Sequence, residues 1–162
     1  SGLVAMLPSP DGKWIARASA PDGDGTPYNH IGLVHVETGE VRPLGDHPCL
    51  AFVWSPTGDA LITARVDTTR NLLVWSRLDL DGTIEPFASL YPTRDLGFYL
   101  RFFEQYAQSH RLVSSDGRHI LLCGGQEGSR DSHRKRVWRA ATDGSGMEEV
   151  SEGLFAVYGP PR

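Results

Sequence analysis

Near its start the chain reads Leu7-Pro8-Ser9-Pro10-Asp11-Gly12-Lys13-Trp14-Ile15-Ala16. Proline and serine open a tight turn here, and Gly12 supplies the positive φ that other residues resist. The apolar residues on both sides predict two strands joined by this turn. The pattern returns twice at intervals of about 50 residues, at Val53-Trp54-Ser55-Pro56-Thr57-Gly58-Asp59-Ala60-Leu61-Ile62 and at Leu112-Val113-Ser114-Ser115-Asp116-Gly117-Arg118-His119-Ile120-Leu121.

A second hairpin follows each of these turns. Alternating runs lead into Thr38-Gly39, Asp81-Gly82 and Asp143-Gly144, and each pair is followed by a short strand candidate. Asp-Gly pairs between alternating runs indicate hairpins. Each repeat is therefore predicted to hold four short strands in an up-and-down meander. Residues 97–108 are the one ambiguous segment, which could form one or two helical turns.

Four-stranded antiparallel units that repeat in this way are typical of β-propeller blades. We predict an all-β fold, a partial β-propeller of three four-stranded antiparallel blades plus one strand of a fourth repeat. Residues 1–162 would form a single incomplete propeller domain. The repeats are predicted at about 3–46, 47–90 and 91–152, and the extra strand at 154–158.

The turn Ser9-Pro10-Asp11-Gly12-Lys13-Trp14, together with a later Asp-Gly-Ser-Gly hairpin, resembles the TolB-like propeller repeat, also called the WD40-like or PD40 repeat. The resemblance covers nearly the whole chain, and the other two copies depart from it at Thr57 and Ser115. It implies a six- or seven-bladed propeller that serves as a binding or scaffold module, in some members attached to a serine peptidase. It also implies an extracytoplasmic setting for some members, and it transfers no catalytic residues.

Three blades cannot close a ring, because a propeller needs at least four. Leaving several hundred Å² of apolar surface wet would forgo roughly 10 kcal/mol at 25 cal/mol per Å². We therefore expect one of two partners. Either the missing blades belong to a longer parent chain, or two copies form a homodimer with a six-bladed ring.

The predicted topology places the short turns at one end of the blades and the longer segments at the other. Those longer segments are 19–29, 66–70, 89–109 and 124–135. Length concentrated at one end is typical of a rigid scaffold that carries a binding surface. The candidate binding residues on this long-loop face are Tyr28, His30, His47, Tyr99, Tyr106, His110, Arg130 and His133.

Five aromatic residues lie between positions 98 and 106. They could line a ligand pocket or dock a partner. Alternatively they could pack as ordinary core beside the second and third blades, which is the favoured interpretation. Two of them, Tyr99 and Tyr106, and the nearby His110 are expected to reach the surface.

Composition and spacing argue against several function classes. The net charge of −4 does not suit a binder of nucleic-acid backbone. No apolar run has the length of a membrane span, and no signal peptide is visible, so no compartment is predicted. Cys49 and Cys123 are predicted to be buried free thiols without metal-ligand spacing. We predict no metal and no cofactor.

The function that follows is non-catalytic binding of a protein or small ligand through the long-loop face. No Gly-x-Ser-x-Gly motif is present, and such a motif marks the nucleophile of an α/β-hydrolase. The chain is therefore predicted not to be an enzyme. The alternative is the propeller segment of a serine-peptidase-like hydrolase whose catalytic domain lies outside this chain.

Overall fold

The computed structural model describes residues 4–20, 27–128 and 135–160. In this part of the chain, eleven strands and two short helices follow one another. In chain order they are β1 Val4–Pro8, β2 Trp14–Ser19, β3 Tyr28–His35, β4 Val41–Cys49, β5 Ala51–Trp54, β6 Ala60–Asp67, β7 Leu72–Asp79, β8 Ile84–Pro92, α1 Arg94–Arg101, α2 Phe103–Tyr106, β9 His119–Gly125, β10 Arg136–Ala141 and β11 Met147–Glu152.

The strands form two antiparallel sheets in which sequence neighbours are also spatial neighbours. The first sheet has the order β1-β2-β3-β4, and the second has the order β11-β10-β9-β8-β7-β6-β5. Every pair is antiparallel. The predicted all-β antiparallel class is therefore confirmed. The segment left ambiguous by the sequence is largely helical, since it falls on α1 and α2.

The second sheet is joined at its middle by a narrow contact. β8 meets β9 only through Tyr91 opposite Gly125 and Pro92 opposite Gly124. This contact occupies part of the β9 edge that the first strand of the third repeat was predicted to use. That strand is reduced to an isolated bridge between Val113 and Ile120. The predicted strand at 154–158 is likewise reduced to a bridge, from Tyr158 to Arg111.

The repeated turns have the same hydrogen bonds in their first and third copies. Ser9 Oγ donates to Asp11 Oδ1 over 2.6 Å, and the Trp14 amide donates to Ser9 Oγ over 3.0 Å. Ser114 Oγ donates to Asp116 over the same 2.6 Å. These hydroxyl donors are the largest cause of the lowered pKa of the Asp11 and Asp116 carboxyls.

In the second copy, a threonine hydroxyl lies between the serine and the aspartate in the chain of hydrogen bonds. Ser55 Oγ lies 2.8 Å from Thr57 Oγ1, and Thr57 Oγ1 donates to Asp59 Oδ1 over 2.6 Å. Partial burial works against the charge on Asp59, but hydrogen bonds from Thr57 and Arg77 lower its pKa overall. Asp11, Asp59 and Asp116 are called the turn aspartates below.

One continuous core runs through both sheets and includes Leu33, Leu61, Trp75, Ile120 and Leu122. Each of these side chains is at most 1% exposed. Apolar burial of this kind is the main favourable term in folding.

Cys49 and Cys123 are buried free thiols, as predicted. Burial raises the pKa of Cys49 to about 12 and that of Cys123 to about 11.

Alternating strand direction sorts the connections between two ends of the molecule. The turn end carries the short turns 9–13, 55–59 and 114–118, whereas α1 and α2 lie at the long-loop end. One predicted long segment is in fact short. β6 extends to Asp67 and β7 begins at Leu72, so the predicted loop at 66–70 is a tight turn, held by backbone hydrogen bonds to the Asp67 carboxylate.

Candidate functional site

The helix α1 starts where a threonine caps it. Thr93 Oγ1 accepts a hydrogen bond from the Leu96 amide over 3.2 Å, which satisfies one of the free donors of the first turn. The same hydroxyl donates to the Leu154 carbonyl over 2.6 Å. Asp95 lies in the first turn and Arg101 in the last, the charge order that the helix dipole favours. This cap ties the helix to the C-terminal segment.

The aromatic residues of the two helices divide into a buried set and an exposed set. Tyr99 is 4% exposed and Phe103 is 2% exposed. The Phe103 ring lies 5.0 Å from the Phe52 ring, and the Tyr99 hydroxyl donates to the His110 carbonyl over 3.1 Å. The predicted core packing therefore holds for this set.

The exposed set forms an apolar surface at the long-loop end. Phe98 is 55% exposed and Phe102 is 38% exposed, and their ring centroids are 4.9 Å apart. Leu154 is 43% exposed and lines an open cleft of about 630 Å³ together with Phe98. We call Phe98, Phe102 and Leu154 the helix patch. Arg94, Asp95 and Lys135 line the same cleft.

Three of the predicted binding residues adjoin one another beside these helices. Tyr99 and Tyr106 stack with their centroids 6.2 Å apart, and the Tyr106 ring meets the His110 ring at 5.4 Å. His110 is exposed and Tyr106 is half-buried. The expectation that Tyr99 reaches the surface is wrong, because helix α1 turns its ring inward, and burial raises the pKa of its hydroxyl.

Three further candidates have other surroundings. Tyr28 is buried at the start of β3, with its ring 6.1 Å from Phe103. His30 is exposed, and its Nδ1 lies 2.5 Å from Asp46 Oδ1. His47 Nε2 lies 3.1 Å from the Leu44 carbonyl oxygen and 3.2 Å from that of Gly82. His47 therefore links the first sheet to the β7–β8 turn at the turn end.

The remaining two predicted binding residues, Arg130 and His133, lie outside the described residues. Whether any of the eight candidates binds a ligand stays a prediction.

A second cavity, which the sequence did not indicate, lies between the first strands of the repeats. It has a volume of about 450 Å³ and is lined by the ends of β1 and β5, by residues 111–113 and by the end of α2. Trp54 lines it, and its Nε1 donates to the Leu7 carbonyl over 3.0 Å. We call this cavity the inner-strand cleft.

Within the ranges 4–20, 27–128 and 135–160, no three His, Cys, Asp or Glu side chains are grouped as metal ligands. None of the helices described has the length and apolarity needed to cross a membrane.

Antiparallel meanders of sequence-adjacent strands are one feature of propeller blades. No family model matches the chain, and no curated protein does. Among solved structures, oligogalacturonate lyase from Vibrio parahaemolyticus is similar over 86% of this chain and 34% of that chain, with 14% identity and a TM-score of 0.56.

Two TolB structures are also among the structural neighbours. TolB from Acinetobacter baumannii matches over 92% of this chain and 30% of its own, with 14% identity and a TM-score of 0.48. TolB from Agrobacterium tumefaciens matches over 94% of this chain and 63% of its own, with 19% identity and a TM-score of 0.41.

The lyase is a propeller, and its match shows that this chain shares the propeller fold. The predicted resemblance to a TolB-like propeller is thereby confirmed for the fold. The chain spans about a third of the length of the lyase and of the Acinetobacter TolB. The predicted absence of catalysis stays a prediction, since the neighbours include a lyase as well as TolB.

Proposed function

We propose that this chain is a non-catalytic propeller scaffold that binds a protein partner through its long-loop end. In this proposal the chain provides three blades, of which the third has its first strand reduced to a bridge. The helix patch is the contact surface, and an apolar anchor of the partner enters the neighbouring cleft. Propeller scaffolds of this kind present binding surfaces on the connections between rigid strands.

The single observation that carries the proposal is the exposed pair of aromatic rings at the C-terminal end of α1. Phe98 and Phe102 are adjacent on one side of the helix region, while Tyr99 and Phe103 are buried in the core. Large apolar side chains that are grouped at the surface and rimmed by polar residues mark interaction sites. Aromatic residues also dominate the binding energy of protein interfaces.

The cleft beside the helix patch suits an anchor residue. Its walls include Tyr91 and Pro92 as well as Phe98, and its volume is about 630 Å³. Among the described residues, Arg94 and Lys135 line it as cations and Asp95 as an anion. An apolar floor with charged edges matches the usual anatomy of an interface, in which a dry core is surrounded by a polar rim.

The scaffold under the patch is held in place before a partner binds. Thr93 fixes the start of α1 to the Leu154 carbonyl, and the Phe155 ring packs 5.5 Å from the Tyr99 ring. Such preorganisation reduces the entropy lost on binding.

A second contact in the proposal concerns the outer face of the first sheet. Met6 is 51% exposed and Val41 is 68% exposed. The strand register places both on the face opposite to the buried Ala5 and Leu7. We propose that a further blade covers this face, supplied either by the parent chain or by a second copy in a homodimer.

The test of the binding proposal compares two double variants of the chain. Phe98→Ser with Phe102→Ser removes the aromatic pair, and Val36→Ser with Val150→Ser is the matched control. The control residues are 53% and 55% exposed and lie outside the helices. Proteins retained from a cell extract would be quantified by mass spectrometry, and the affinity of the best candidate would be measured by calorimetry.

The expected result is a partner whose affinity falls at least about tenfold in the aromatic variant, the loss of one good anchor, and is unchanged in the control. Equal retention by the two variants would reject the helix patch as the contact surface.

A further inference from the structure

The inner-strand cleft is a second site, independent of the helix patch. It lies toward the turn end of β1 and β5, and its volume of about 450 Å³ is within the usual range of small-molecule sites. Its walls come from three different repeats.

The charge on the described walls of this cleft is positive. Among the described residues that line it, Arg111 is the one cation and none is a carboxylate. Arg111 is half-buried, and in the part of the chain that the structure describes no carboxylate lies within 4.0 Å of its guanidinium. Arg70, Arg77, Arg136 and Arg139 each have such a partner.

A half-buried guanidinium loses part of its hydration, and among the described residues no carboxylate compensates Arg111 for that loss. An anionic group bound in the cleft would supply the missing partner. Arginine also matches the planar geometry of a carboxylate with two parallel hydrogen bonds.

The other residues that line the cleft can contact the carbon skeleton of a ligand. Trp54, Pro8 and Pro56 provide apolar surface, and Gln108 adds one polar amide. The hydrogen bond from Trp54 Nε1 to the Leu7 carbonyl fixes the indole in place. The ring of Trp54 is thus held in a fixed position in the cleft that Arg111 also lines.

We propose that the inner-strand cleft binds a small organic carboxylate, with Arg111 pairing with the carboxylate and Trp54 contacting its carbon skeleton. Arg111 also borders a neighbouring groove of about 310 Å³. That groove contains the Asp116 carboxylate and Arg139, and Arg139 is already paired with Glu148. The inner-strand cleft is therefore the more favourable side for an anion.

The test uses the indole N–H signal of Trp54 in ¹⁵N-labelled protein, assigned with Trp54→Phe. Three pairs of probes are titrated: cyclohexanecarboxylate against its amide, glucuronate against glucose, and a tripeptide with a free against an amidated C-terminus. A saturable shift is expected for at least one carboxylate, with its neutral counterpart about tenfold weaker or more, as for a charge-assisted pair. The sugar and peptide arms show which source of carboxylate fits.

Three arginine variants then identify the anion partner. Arg111→Gln is expected to weaken the carboxylate to the level of its neutral counterpart, and Arg111→Lys to retain part of the difference. Arg118→Gln, at an exposed arginine of the nearby turn, should change nothing. Circular dichroism and thermal melting check the fold. If Arg111→Gln does not fold, Arg111→Lys and the wild-type probe pairs decide.

Any of three results would overturn the proposal. The first is no saturable shift of Trp54 at about 20 mM probe, a concentration that nearly saturates a site of millimolar Kd. The second is equal affinity of the carboxylate for the wild type and Arg111→Gln. The third is a carboxylate that shifts the His119 ring and leaves Trp54 unchanged, which would place it in the neighbouring groove.

Discussion

Alanine at Gly117 would bring a new methyl group against the turn of the preceding repeat. A Cβ there would lie 2.5 Å from Ser55 Oγ and 3.1 Å from Thr57 Oγ1. Gly12 is the matched control, because nothing lies within 4 Å of a Cβ built on it. The two glycines have nearly the same backbone, with φ of +72° and +71°. They differ only in what surrounds them.

The shared backbone sets a common cost for both variants. A non-glycine residue in the left-handed region costs about 1–2 kcal/mol, and this should be nearly the whole effect of Gly12→Ala. In Gly117→Ala the fully buried Ser55 must also move. Overpacking costs about 1–3 kcal/mol, and weakening the 2.8 Å contact of Ser55 Oγ with Thr57 Oγ1 adds about 1 kcal/mol. The expected difference between the variants is thus about 2 kcal/mol or more.

Urea unfolding followed by tryptophan fluorescence measures this difference, provided that the m-value stays constant. The double variant Ser55→Ala with Gly117→Ala completes a mutant cycle. Because the double variant lacks the Ser55 Oγ, it should be less destabilised than the sum of the two single variants. The coupling free energy between the two positions should be about 1 kcal/mol or more. If Gly117→Ala and Gly12→Ala agreed within about 0.5 kcal/mol, the limit for independent sites, the proposed packing of neighbouring turns would be refuted.

Gly124→Ala should be strongly destabilising, by about 3 kcal/mol or more, because its Cβ would lie 1.8 Å from the Tyr91 carbonyl oxygen. Gly128→Ala, with nothing within 4 Å, is the control, and equal urea midpoints would contradict the expectation. The raised pKa and burial of Cys49 and Cys123 should slow iodoacetamide labelling at pH 8 at least about tenfold relative to urea-unfolded protein. Rapid labelling of the folded chain, followed by mass spectrometry, would argue otherwise. The turn aspartates have a lowered pKa in the folded state, so the unfolded chain takes up their protons first as the pH falls. The stability they add is present above about pH 4, the ordinary Asp value, and is lost below it. Urea midpoints from pH 7 to pH 3 test this, and a constant midpoint would exclude it.

Local features of the fold were predictable because they depend on few neighbouring residues. The turn at Gly12 needs only a positive φ and a nearby hydroxyl for the Asp11 carboxylate. Residues within six positions of one another meet both requirements. The length of the first strand in the third repeat could not be predicted in this way. That strand is shortened because the end of β8 takes up part of the β9 edge at Gly124. That competition joins residues far apart in sequence.

The candidate sites were predictable only in part, for a similar reason. The spacing of Phe98 with Phe102, and of Tyr99 with Phe103, indicates two stripes on a helix. It does not say which stripe faces the sheet, because the direction of approach depends on the ends of β8 and β9. The importance of Arg111 could not be seen either. It rests on the absence of a nearby carboxylate in the described part of the chain, which is a property of the folded structure.

Among the described strands, β1 ends the first sheet and has one edge without a partner strand. At this edge the Met6 amide donates to Glu104 Oε1 over 2.9 Å, across 98 positions of sequence. Free edges of this kind are templates on which a strand of another molecule can assemble. A helical carboxylate that already occupies a donor, and adds a charge beside it, obstructs such assembly. Glu104, on helix α2, therefore makes this edge of β1 a poorer template for a strand of another molecule.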